Sequence, residues 1–281
     1  MKTGKKHIIL YVILLLLVFV SCSDRRTVIG VSQCSDDLWR QKVNREIKIG
    51  QYQYKNVDVV FASADNNGQR QARQIDSLVK AKVDLLVVAP SDVKTVAPAI
   101  ERAYRAGIPV ILYDRMIEST HYTAYIGTDN VAIGKEVADY LAHQLQGRGT
   151  VVEITGERGS TPVADRHRGF MQGMKAFPQI QVVTLEGDWN LAGAKKLMRQ
   201  YMDAGKPVDA VFGHNDAEAW GAQQAAKEKN REKQMLFVGI DGLPGENQGV
   251  DLVDKGVMTA SYIYPTKGET IVPLAMNIPI L

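Results

Sequence analysis

From residue 27 onward, short runs of apolar residues alternate with longer stretches in which apolar positions recur every three or four residues. Val28–Val31, Val57–Ala62, Leu85–Ala89 and Pro109–Tyr113 are runs of strand length. Between them, Asp37–Ile49, Gln69–Lys80 and Val93–Ala106 have helical spacing, with Gly107 placed to end the third helix in a left-handed cap. The rhythm continues with predicted helices at Val131–Leu145, Val163–Ala176, Ala192–Ala204, Glu218–Lys227 and Gly249–Lys255. The matching strands are Val151–Ile154, Val182–Leu185, Ala210–Phe212, Leu236–Ile240 and Thr259–Ile263. Strands that are apolar throughout are buried on both faces, which predicts parallel sheets covered by helices. The strands exceed one compact sheet, so the expected fold class is α/β with two doubly wound parallel-sheet lobes joined by a hinge. The first lobe is expected over 27–128, with 265–281 returning to it, and the second over 129–264. Tyr125–Asn130 is the expected first crossing between them.

The first segment stands outside this rhythm. Lys2, Lys5 and Lys6 precede the apolar run Ile8–Val20, and Ser21-Cys22 follows. This is the layout of a secretory signal, expected over residues 1–22, and the run is short for a membrane span. Charge supports that division. The chain carries 34 Lys and Arg against 31 Asp and Glu, and three of the lysines lie in the leader, leaving the remainder formally neutral. A nucleic-acid partner would call for a basic excess there, and none is present. Once Cys22 is set aside only Cys34 remains, which is expected to be a small packed residue.

In open α/β sheets ligands bind beyond the carboxyl ends of the strands. Here those positions are Ser32–Asp36, Ala64–Asn66, Pro90–Asp92, Asp114-Arg115, Gly156–Ser160, Gly187–Asn190, His214–Asp216 and Asp241-Gly242. They are rich in Asp, Asn, Ser and Arg and contain no Lys. Carboxylates accept from hydroxyls and guanidinium groups donate in a fixed fork, so the set suits a neutral polyhydroxylated ligand. Singly, Asp and Asn at such places cap helices; Asp114-Arg115, with no helix immediately after it, is the pair that argues for a site. No G-x-S-x-G, H-E-x-x-H, P-loop or G-x-G-x-x-G occurs. No enzyme class, metal or cofactor is therefore implied, and His214 is read as rim or structural.

Several of these residues fall in longer motifs. Val110–Arg115 (VILYDR), Ile126–Asn130 (IGTDN), Ala164–Phe170 (ADRHRGF), Ala210–Ala222 (AVFGHNDAEAWGA) and Val238–Gly242 (VGIDG) resemble the ribose-binding branch of type I periplasmic binding proteins. That fold is shared with lactose-repressor-type regulators. A regulator would carry a DNA-binding helix-turn-helix where this chain has its leader. Position by position, the resemblance implies ligand contacts from Asp36, Trp39, Asp114 and Arg115 in the first lobe. From the second it implies Arg166, Trp189, Asn215 and Asp241. Leu38 stands where the family has its first stacking aromatic and Tyr264 near its late hinge glutamine, so the implied ligand is a neutral monosaccharide such as ribose or fructose. Ser21-Cys22 resembles a lipoprotein box, which implies cleavage before Cys22 and a diacylglyceryl group on its thiol; an uncleaved N-terminal anchor is the other reading. The implied location is the periplasm or cell envelope. The implied partners are a membrane permease of an ABC-type transporter or, alternatively, the kinase of a membrane-bound hybrid sensor. The family continues past the point where this sequence stops, implying a truncated C-terminus.

Overall fold

A computed structural model describes residues 25–279; the leader and Cys22 lie outside the described residues. The first lobe is a five-stranded parallel sheet of β1 (Thr27–Gln33), β2 (Val57–Ser63), β3 (Leu85–Val88), β4 (Val110–Tyr113) and β5 (Ala124–Ile126), in the order β2-β1-β3-β4-β5. Helices α1 (Leu38–Tyr52), α2 (Gly68–Lys80) and α3 (Val93–Arg105) make its crossovers. The second lobe repeats the scheme with β6 (Arg148–Thr155), β7 (Gln179–Glu186), β8 (Ala210–Gly213), β9 (Leu236–Asp241) and β10 (Ala260–Ile263), in the order β10-β9-β8-β6-β7. Its helices are α4 (Asn130–Gln144), α5 (Thr161–Met174), α6 (Leu191–Asp203), α7 (Asp216–Glu228) and the short α8 (Gly249–Asp254).

Counted from its own first strand, each sheet runs 2-1-3-4-5. Strand order therefore reverses beside β1 in one lobe and beside β6 in the other, and a doubly wound sheet opens its crevice at such a point. Strands β3, β4 and β8 are buried along their whole length, as their unbroken apolar sequences require. Polar residues at the strand ends start the helices. Asp37, Asn67, Asp92, Asp129, Asn190 and Asn215 each cap a helix by accepting a first-turn N–H.

Strand β5 overlaps the stretch Tyr125–Asn130 expected to link the lobes. Three residues are too few to show a period, and only its pairing with Ile111, Leu112 and Tyr113 makes it a strand. The chain crosses between lobes at 127–129 and again at 264–267, and Lys267 Nζ donates to the Gly127 carbonyl at 2.7 Å, tying the two crossings together. The last turn, α9 (Ile271–Met276), then packs on α1, where Glu46 accepts from Gly268 N at 2.9 Å and from the Thr266 hydroxyl at 2.7 Å. One continuous apolar core runs from Ile29, Val43 and Ile47 through Tyr113 and Tyr264 to Val137, Phe170 and Phe212. The lobes thus share packing at the hinge, and the cleft lies beside it. Among the described residues no helix is long and apolar enough to cross a membrane.

Candidate functional site

The carboxyl ends of both sheets face one cavity lined by Asp37, Trp39, Arg40, Asp114, Arg115, Pro162, Arg166, Trp189, Asn215, Asp241 and Tyr264. Trp39, Asp114, Arg115, Arg166, Trp189, Asn215 and Asp241 are brought together there. Asp36 is not: it is exposed and forms no part of the lining. The reason is the start of α1. Asp37 Oδ1 caps the helix through Arg40 N at 2.9 Å and Oδ2 accepts from the Ser35 hydroxyl at 2.6 Å, which holds the Asp37 carboxylate at the cavity wall although the residue, like Asp36, is exposed.

The first-lobe wall is built on Asp114. Its backbone holds φ = 61°, in the left-handed region that a non-glycine residue adopts only under local constraint. Oδ1 accepts from the Tyr264 hydroxyl at 2.7 Å, and Oδ2 accepts from Arg40. Burial alone would raise the Asp114 carboxyl, but Arg40 and Arg115 beside it, with the Tyr264 hydroxyl, hold it below the usual carboxylate range. Arg115 is buried and donates to the Ser91 carbonyl at 3.2 Å. Trp39 donates its indole N–H to the Tyr264 carbonyl at 3.2 Å and packs at a tilt against the Tyr113 and Tyr264 rings.

The second-lobe wall is built on Arg166. Helix α5 lies so close to α4 that a Cβ on Gly134 would overlap the Arg166 carbonyl, and that approach brings the side chain to the cleft. Its Nε donates to Asn130 Oδ1 at 2.8 Å and a terminal nitrogen donates to the His214 carbonyl. The guanidinium stands 5.6 Å from the Trp189 ring and 4.7 Å from that of Tyr264. Trp189 holds φ = 68° and lies flat against Gly156, where any Cβ would collide with the indole. Its backbone N–H donates to Glu218 at 2.9 Å, and Asn215 donates to its carbonyl at 2.9 Å. Asn215 is therefore both helix cap and cavity lining. Asp241 holds φ = 135° at the end of β9. Burial and the neighbouring Asp216 push its carboxyl well above the usual range.

Beneath this wall lies a buried polar chain. His214 Nε2 is 3.0 Å from Glu153 Oε1, and Glu153 Oε2 is 2.8 Å from His167 Nδ1 on the outer side of the lobe. Both His214 and Glu153 are fully buried. Burial lowers the His214 imidazole. Burial would raise Glu153, but the hydrogen bonds and charges of His214 and His167 bring it down.

Donors predominate in the cavity. Arg40 NH1, Arg115 Nε and Trp189 Nε1 are buried and have no partner among the described residues. The lobes already meet around them: Val93 N donates to the Gly159 carbonyl at 3.2 Å, Met116 N donates to the Thr161 hydroxyl at 3.0 Å, and Arg115 stands 5.7 Å from the Trp189 ring. Arg40, Asp37 and Tyr264 escaped assignment to the site from sequence. A signal for Arg40 was there: it lies on the stripe of Val43 and Ile47, where an arginine is out of place on a buried helix face.

Two similar lobes, a cavity at both switch points and polar groups converging from each side define a binding protein that encloses a small ligand. Residues 28–278 match the family described as periplasmic binding protein domain, and the chain belongs to it. It is 29% identical over 226 residues to the galactofuranose-binding protein YtfQ of Escherichia coli K12, covering 77% of this chain and 71% of that protein. It is 30% identical over 203 residues to a xylitol-binding protein of Mycolicibacterium smegmatis, covering 72% of this chain and 57% of that one. Among solved structures, the fructose binding periplasmic domain of a hybrid two component system superposes with a TM-score of 0.87 at 43% identity, covering 91% of this chain and 87% of that one. The periplasmic binding protein of an arabinose ABC transporter from Shewanella sp. ANA-3 gives 0.82 at 28% identity, covering 90% and 87%.

Proposed function

We propose that this protein binds a neutral monosaccharide, ribose, fructose or one similar, by closing its lobes over it. The observation that carries this reading is the convergence of unpartnered donors from Arg40, Arg115 and Trp189, the carboxylate of Asp241 and two indole faces on a single cavity. Hydroxyl groups both donate and accept, so they satisfy guanidinium and carboxylate together, while the C–H faces of a sugar ring pack on indoles. Each lobe brings part of the set, so only the closed form binds fully, and the ligand shifts the open–closed equilibrium by that difference in affinity. No step of bond chemistry is assigned.

Closure is read in the membrane. Delivery to an ABC-type permease is the reading that the transport relatives suggest. Sensing is favoured by a different observation: the hybrid two component domain shares 43% identity over 91% of this chain. Cys22, by its lipobox-like context, is read as the attachment point to the membrane; labelling with a clickable fatty acid, lost in Cys22→Ser, tests it.

A thermal-shift panel of neutral pentoses and hexoses on residues 24–281 tests the central reading. A ligand that binds only the native state raises its stability, by about 2.7 kcal/mol at a hundredfold excess over Kd. One or a few sugars are expected to raise the melting point at millimolar concentration or below. Arg115→Ala and Asp241→Ala should each abolish the rise, since each leaves polar groups buried and unpaired. No response to any neutral sugar would overturn the reading.

A further inference from the structure

Resting on the lobe-closure reading above, we propose a second ligand site at the outer edge of the seam between the lobes, for a small organic oxyanion, a carboxylate or a phosphate ester. A cavity of about 600 Å³ opens there and shares no lining residue with the sugar cavity. Its walls come from both lobes. The start of α3 and Glu118 form one side, and the start of α5 with the ends of β6 and β7 forms the other. Val93, Gly159 and Thr161, which carry the contacts between the lobes, all line it. A ligand seated here touches both walls and binds the closed form better than the open one. By linkage it raises sugar affinity, and sugar raises its affinity by the same factor.

The chemistry of the walls points to an anion. Helices α3 and α5 both begin at the cavity, and a helix N-terminus presents unpaired N–H groups and partial positive charge. On α3 these are offset by Asp92, whose Oδ1 accepts from Thr95 N at 2.7 Å. On α5 they are not: Ser160 holds the N-cap position and makes no capping bond. Ser160 is only 3% exposed, lines the cavity, and its hydroxyl is buried with no partner among the described residues. A hydroxyl left so is costly until a ligand pairs with it. Lys94 and His167 stand on the same walls. The His167 ring is fixed by the fully buried Glu153, 2.8 Å from Nδ1, which leaves Nε2 as its free polar atom. Of the other acids lining the cavity, Glu186 is spent on Arg158. Glu118 is left to accept from a hydroxyl on the ligand's body, and Val93, Val163 and Ala164 give that body apolar contact.

The test is calorimetric titration of the wild-type chain with D-fructose or D-ribose, whichever it binds, in inorganic phosphate, glycerol 3-phosphate and D-gluconate. Each is compared with sodium chloride at equal ionic strength, which removes general screening. At saturation at least one of the anions should tighten sugar binding about fivefold or more. Ser160→Ala deletes the buried hydroxyl and should need about fivefold more of that anion for the same effect, with a sugar affinity in chloride within about twofold of wild type. Ala164→Glu places a carboxylate in the cavity from an exposed position in the first turn of α5, where an acid suits the helix, and should erase the effect. The proposal is overturned if all three anions leave sugar affinity at its value in chloride, if they weaken it by competing in the sugar cleft, or if both variants respond as the wild type does. A chain that binds no neutral sugar defeats the sugar reading alone. In that case a melting point raised by one of the anions in the wild type and not in Ala164→Glu supports the second site, and no rise overturns it.

Discussion

The Tyr264 hydroxyl donates to Asp114 Oδ1 at 2.7 Å, joining the end of β4 to the second crossing between the lobes. The same phenol oxygen accepts from Asn130 Nδ2 at 3.2 Å, and Asn130 Oδ1 accepts from Arg166. One unbroken chain of polar contacts therefore runs from Arg40 through Asp114, Tyr264 and Asn130 to Arg166 and the His214 carbonyl. It starts in one lobe, passes the hinge and ends in the other. The groups that face the ligand are thereby held in register with the crossing about which the lobes move.

Removing the middle of that chain should be felt at both ends. Tyr264→Phe keeps the ring against Trp39 and deletes the hydroxyl, leaving Asn130 Nδ2 only the Thr128 carbonyl at 3.3 Å and Asp114 one donor short. A buried partner lost in this way costs about 1–3 kcal/mol. A urea midpoint shifted by that amount is expected, with weaker sugar binding because Arg166 loses its brace. A midpoint unchanged within error would show the hydroxyl to be dispensable.

Gly156 tests the indole of the second lobe. Without a side chain there, the Trp189 ring can lie on the backbone. Gly156→Ala drives a methyl group against the face of the ring, and Trp189, already at φ = 68°, has little freedom to yield. The ring should leave the cavity. Affinity is expected to fall at least tenfold, while the melting point moves less because Trp189 is only partly buried. Sugar-induced change in tryptophan fluorescence should shrink in parallel. Normal affinity would remove Trp189 from the binding surface.

These residues also show what was legible beforehand. Asp114-Arg115 could be placed because no helix begins after it, so capping did not compete as an explanation. The strands could be placed because burial on both faces leaves an unbroken apolar run. Asp36 and Asp37 could not be told apart: which of two adjacent acids lines the cavity depends on where the helix takes its first hydrogen bond, and helix ends are the least determined part of a periodic pattern. Tyr264 falls at the hinge, but its hydroxyl partner Asp114 lies 150 positions earlier in the chain, a pairing that no local pattern displays. β5 carried too few residues to have a period at all.

The pair His214 and Glu153 should make the fold sensitive to acid. Burial holds the His214 pKa below its usual 6.5, so the unfolded chain takes up the proton first. The stability it contributes is complete above about pH 6.5 and declines as the pH falls below that. Glu153, held below 4.5 despite its burial, adds a second loss at lower pH, as its carboxylate is protonated. His214→Gln retains an N–H for Glu153 and cannot titrate. Its melting point relative to wild type should improve between pH 6.5 and 5, and a difference curve flat over that interval would reject the assignment.

Asp216 acts in the opposite direction. It accepts from the Ser261 hydroxyl at 2.6 Å and from Gly242 N at 2.9 Å, yet burial outweighs these bonds and pushes its pKa up to about 6 from 3.8. A carboxyl with a raised pKa stabilises the fold fully below the unfolded value and loses that contribution as the pH rises through the folded one. The strain at neutral pH is roughly 3 kcal/mol, at about 1.4 kcal/mol for each pH unit. Asp216→Asn can donate to Ser261 and accept from Gly242 while carrying no charge, so its stability advantage over wild type should grow from pH 4 to pH 6. The same charge helps to raise Asp241. Without it Asp241 ionises at lower pH, and if Asp241 is the acceptor for sugar hydroxyls, the pH midpoint of binding should move toward acid in the variant. Titrations of both proteins from pH 4 to pH 8 decide the matter: coincident midpoints would mean that the Asp241 charge does not govern sugar binding.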